Sequence, residues 1–71
     1  MPGNAEANIV TADVLTLLLY NQYALSAALE EVAVWAKSTG ALETHSNAIG
    51  ALNALDENAS AITAGILKLR R

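Results

Sequence analysis

Two apolar stripes of equal length flank a single glycine, Gly40, and this arrangement leaves few folds open to the chain. The first stripe is Val14, Leu18, Asn21, Leu25, Ala28, Val32 and Trp35; the second is Ala48, Leu52, Leu55, Ala59, Ile62, Ile66 and Leu69. Both advance by alternating steps of four and three residues. The mean step of about 3.5 residues is the repeat of a left-handed helical seam. The pattern predicts an all-α antiparallel helical hairpin, with helix one over about residues 12–38, a turn at 39–41 and helix two over about 42–69. Residues 1–10 carry Pro2, Gly3 and Asn4 and are expected to form a flexible N-terminal arm ahead of the hairpin at 11–71.

The expected helix ends follow from local chemistry. Thr11 suits an N-cap, because its hydroxyl accepts a free backbone N–H, and Asp13 places negative charge near the positive helix end. Lys37 and then Lys68, Arg70 and Arg71 place positive charge at the two C-terminal ends. Gly40 fits the left-handed position that closes many helices. The single proline is Pro2, and fifteen alanines favour helix and close backbone approach.

Folding at Gly40 pairs residues whose numbers add to about 80, as expected of an antiparallel hairpin. Val14 then meets Ile66, Leu18 meets Ile62, Asn21 meets Ala59, Leu25 meets Leu55, Ala28 meets Leu52, Val32 meets Ala48 and Trp35 meets His45. Helix one is apolar over nearly half its circumference, whereas a two-helix hairpin needs only a narrow seam. The surplus width predicts self-association into a four-helix bundle, in the first instance a homodimer. The expected oligomer interface comprises Leu15, Leu18, Asn21, Leu25, Leu29, Val32, Leu52, Leu55, Ile62 and Ile66. A second outer patch of Leu19, Tyr20, Tyr23, Val34 and Trp35 is available to a protein partner. Gly50 and Gly65, with Ala54 and Ala61, read as a small-residue flank on helix two that permits a close helix crossing.

Function classes narrow by exclusion. The chain has no cysteine and one histidine, so neither a disulfide nor an ordinary zinc site is expected. Glu30 and Glu31, like Asp56 and Glu57, are adjacent on a helix and point about 100° apart, so neither pair converges on a metal or a substrate. Glu43 and His45 lack the Glu-x-x-His spacing of di-metal bundles. His45 falls beside Trp35 near the turn, with no nucleophile at seam spacing. No catalytic, cofactor-binding or metal-binding residue is therefore assigned. Net charge is −3 with four cations, which gives no basic stripe for nucleic acid. A membrane span over Val14–Ala36 would bury Glu30 and Glu31 in hydrocarbon, and no basic leader precedes an apolar run. The expectation is a cytoplasmic, non-catalytic protein–protein interaction module, homodimeric and acting as adaptor or regulator. An antitoxin-like or phage-type inhibitor that binds a larger partner is the alternative.

Asn21 interrupts an apolar stripe, where a buried amide fixes register and oligomer state at a cost in stability. Asn21→Leu is accordingly expected to raise the melting temperature while broadening the distribution of oligomers on gel filtration. One unchanged species of lower stability would refute that role.

Overall fold

Gly40 is where the chain reverses. Its φ of 85° lies in the left-handed region that a Cβ disfavours. The backbone N–H of Ala41 donates to the Ala36 carbonyl at 2.8 Å and that of Gly40 to the Lys37 carbonyl at 3.1 Å, the paired bonds of a Schellman ending. The hydroxyls of Ser38 and Thr39 donate to the carbonyls of Trp35 and Ala36. Carbonyls that a helix end leaves without intrahelical partners are thus met locally.

The computed structural model describes residues 4–71, which form two antiparallel helices, α1 (Asn4–Ser38) and α2 (Leu42–Arg70). The hairpin is a rod of 58 × 15 × 12 Å. The turn and α2 fall where the sequence places them. α1 starts earlier than expected: Thr11 lies within the helix rather than capping it, and the arm expected over 1–10 is helical from Asn4 onward. Residues 1–3 of that arm lie outside the described residues. Ala5, Ala7 and the carboxylate of Glu6 in the first turn favour helix there, without any need for tertiary contact. With 35 residues against 29, α1 overhangs the end of α2, and residues 4–11 are exposed all round.

The seam between the helices is half as expected. On α2 the buried and half-buried positions are His45, Ala48, Leu52, Leu55, Ala59, Ile62, Ile66 and Leu69, the stripe read from the sequence extended by one position toward the turn, with Gly65 at the margin. On α1 they are Ala12, Leu15, Leu19, Gln22, Ser26, Leu29, Ala33 and Ala36, with Thr16 at the margin. Every α1 residue from Leu15 onward lies one position after its expected counterpart, a rotation of about 100° about the helix axis. Val14, Leu18, Asn21, Leu25, Ala28, Val32 and Trp35 consequently face away from α2 and are exposed.

Side-chain size accounts for this choice. In the seam that forms, small residues of one helix lie level with bulky residues of the other: Ala12 with Ile66 and Ser26 with Leu52, and in the reverse sense Leu19 with Ala59 and Leu29 with Ala48. Large against small lets the backbones approach, and close approach recruits further bonds. Gln22 reaches across and donates its Nε2 to the Leu55 carbonyl at 2.7 Å. His45 Nδ1 lies 2.8 Å from the Ala33 carbonyl, so the tautomer carrying its proton on Nδ1 ties the helices together near the turn. At the open end Arg70 pairs with Asp13 at 2.9 Å and with the Thr16 hydroxyl at 3.3 Å.

The resulting core is thin. Its buried members are Ala12, Leu19, Ala33, Ala36, Leu52, Ala59 and Ile66, four of them alanine. No buried polar side-chain atom among the described residues lacks a partner.

Three variants test this packing. Gly40→Ala is expected to cost about 1–2 kcal/mol, the penalty of a Cβ in left-handed backbone, read from the thermal melt of the helical circular dichroism. Ala33→Leu overfills a tight seam position and is expected to cost about 1–3 kcal/mol. Val34→Leu, one residue on and exposed, should stay within about 0.5 kcal/mol in the same thermal melt.

Candidate interaction surface

Two antiparallel helices facing each other are related by a local two-fold axis normal to the plane of the hairpin. Residues one position after the seam therefore emerge on one side of that plane from both helices, and residues one position before it emerge on the other. The Arg70–Thr16 contact obeys this rule, since each residue follows a seam position (Leu69 and Leu15).

The side carrying the residues after the seam is more polar: α1 contributes Asp13, Thr16, Tyr20, Tyr23, Glu30 and Lys37, and α2 contributes Asp56, Ser60, Thr63 and Arg70, with Val34, Ile49 and Leu67 as its exposed apolar members. A shallow open groove of about 450 Å³ runs along it, lined by Tyr23, Asp56, Ala59, Ser60 and Thr63. Thr63 is turned inward in this groove, its hydroxyl donating to the Ala59 carbonyl at 2.8 Å.

The opposite side is apolar. From α1 it carries the displaced stripe, with Leu25 at 70%, Trp35 at 65% and Leu18 at 56% exposure. Val14 and Val32 are exposed between them, and Val10 and Leu17 widen the stripe on its outer edge. From α2 it carries Ala51, Ala54, Ala61 and Gly65, with Asn58 among them and the polar Thr44, Asn47 and Lys68 toward the two ends. One face of the hairpin thus sets a ridge of large apolar side chains beside a furrow of small ones.

The residues expected to form an oligomer interface divide between two roles. Leu15, Leu29, Leu52, Leu55, Ile62 and Ile66 are spent within the hairpin, where they join α1 to α2. Leu18, Asn21, Leu25 and Val32 lie on the exposed apolar side. The second patch also divides. Leu19 is buried against Ala59 and Ile66 and so is not part of an outer surface, because the rotation of α1 carries it into the seam. Tyr20, Tyr23, Val34 and Trp35 are exposed, but Tyr20, Tyr23 and Val34 emerge on the side of the residues after the seam and Trp35 on the opposite one.

Other candidates resolve similarly. Gln22, beside Asn21, is the amide within the seam, whereas Asn21 itself is exposed. Gly50 lies on the back of α2, away from the Ala54–Ala61 flank; Gly65 is half-buried beside the seam. At both glycines an added Cβ meets nothing within 4 Å, so neither is held by contacts inside the hairpin. His45 is turned toward the α1 backbone, away from Trp35's exposed face. Among the described residues no group of three His, Asp or Glu side chains converges as a metal site, and no helix is long and apolar enough to cross a membrane. Comparison with protein-family models, with curated proteins and with solved structures finds no match for the chain.

Proposed function

We propose that this protein acts through association rather than catalysis, as a helical hairpin that pairs with a second copy to form a four-helix bundle. The observation that carries this reading is the exposed apolar side of α1, which runs from Val14 to Trp35. Contiguous exposed apolar surface of this extent marks an interaction site.

Surface area supports a second copy as the occupant. The hairpin exposes 5266 Å². A compact monomer of 7.4 kDa exposes about 4,200 Å² by the scaling of folded monomers. The excess of roughly 1,000 Å² is close to the ~800 Å² that each partner of a standard interface buries. The radius of gyration points the same way: 16.6 Å, where a compact chain of this length has about 11 Å. Four of the seven buried core residues are alanine, so the hairpin has little internal apolar burial to oppose the entropy of ordering its chain.

The geometry of α1 suits a bundle. In a square four-helix bundle each helix meets two neighbours on faces about 90° apart. α1 carries two seven-residue repeats about 100° apart, one facing α2 and the other open. A bundle of two hairpins leaves the two polar sides outermost, available to other partners in an adaptor or regulatory role.

Sedimentation equilibrium at micromolar concentration is expected to give a dimer mass. Leu25→Glu, at the most exposed apolar position of the stripe, should yield monomers that keep most of their helical circular dichroism. A wild-type monomer that melts cooperatively at these concentrations would overturn the proposal.

A further inference from the structure

The hairpin's apolar side is not uniform, and its asymmetry specifies how a second copy docks. On the reading that the protein self-associates, we infer that the two hairpins stack with their two-fold axis parallel to the helices, so that α1 of each copy lies on α2 of the other. Under that symmetry a residue of α1 stays at its own height. It therefore meets the second copy's α2 at the level set by the Gly40 turn, where paired residue numbers add to about 80.

Three of the layers this generates set a large residue on a small one, while Ala28 meets Ala51 and, nearer the turn, Val32 meets Asn47 and Trp35 meets Thr44. Val14 meets Gly65 of the second copy, Leu18 meets Ala61 and Leu25 meets Ala54, all within one residue of the turn-defined level. The ridge on α1 fills the furrow on α2 twice over, once in each direction. The same rule of large against small operates within the hairpin, where Ala12 and Ile66 share one buried cluster with Leu19 and Ala59.

The polar interruption of the stripe falls into place in the same register. Asn21, exposed in the single hairpin, lies opposite Asn58 of the second copy. Each amide offers donors and an acceptor to the other, and such a layer is satisfied only in the correct register. The competing stack, with the two-fold axis across the helices, sets α1 on α1 and α2 on α2. One interhelix contact is then large on large and the other small on small. These demand different spacings, which a rigid hairpin cannot supply at once. The roughly 1,000 Å² of surplus surface per hairpin matches one such face-to-face contact.

The absence of cysteine allows a direct test. Ala28 and Ala51 occupy one small–small layer of the inferred stack, close enough for the short Cα separation that a disulfide needs. Two differently tagged single-cysteine chains, Ala28→Cys and Ala51→Cys, are mixed, unfolded, refolded together and oxidised, with sedimentation of the uncrosslinked mixture in parallel. The expected result is a dimer mass with the mixed disulfide in at least fivefold excess over either self-disulfide. A dimer dominated by self-disulfides, or one lacking the mixed species, overturns the stacking while leaving self-association intact. A monomer mass overturns both.

A second variant reads the furrow without cysteine chemistry. Gly65→Leu is expected to weaken dimerisation at least tenfold, whereas Gly50→Ala, on the back of α2, leaves it within twofold. Both are scored on chains that retain wild-type helical circular dichroism. Equal dimerisation by Gly65→Leu and wild type would show that the furrow is not an interface.

Discussion

The close approach of α1 and α2 at their small residues governs the rest of the architecture. Ala12 and Ser26 let Ile66 and Leu52 of α2 settle against the α1 backbone, and Ala33 lets His45 do so near the turn. That choice turns α1 so that Gln22 reaches the Leu55 carbonyl and His45 reaches that of Ala33. It also turns Leu18, Leu25, Val32 and Trp35 outward. Internal packing and the exposed apolar stripe are therefore two outcomes of one rotation. A helix with a single apolar stripe would bury it in the hairpin and present a polar exterior; α1 has two, and only one fits the available mate.

Much of this was legible in the residues, and the part that was not has a definite cause. α2 has one stripe, and the sequence locates it because most positions on either side are small, polar or charged, with Ile49 and Leu67 the exceptions. The turn was equally plain, since Gly40 follows Lys37 at the end of a long helical pattern and supplies the left-handed residue that a Schellman ending requires. α1 was harder. Its stripes at Val14–Trp35 and at Leu15–Ala36 share the same period and lie one residue apart, so periodicity alone ranks the more apolar one first. The usable signal was size: three alanines and a serine at seam spacing mark the face that admits a close neighbour. Gln22 was the second signal, because an amide with a long reach finds a carbonyl across a seam more readily than the shorter Asn21 does.

The start of α1 illustrates a different limit. Thr11 and Asp13 form a plausible cap, yet the residues before them contain Ala5, Ala7 and Glu6, which propagate helix as well as any segment that packs. A good capping residue permits a helix to begin and does not compel it. The exposed overhang of residues 4–11 is held by backbone bonding alone, without burial against α2.

The short link between the helices also bears on how the chain acquires its shape. Each successive layer away from Gly40 encloses about seven more residues of chain, so the entropy of loop closure rises steadily from the turn toward the open end. Ala36, Ala33, His45 and Ala48 lie where that penalty is least, and the tie from His45 to Ala33 can form before any distant layer is in place. The Arg70–Asp13 pair joins residues 57 apart and is solvent-exposed. Zippering from the bend outward is thus the natural order of assembly, and local opening of the finished rod begins at the opposite tip.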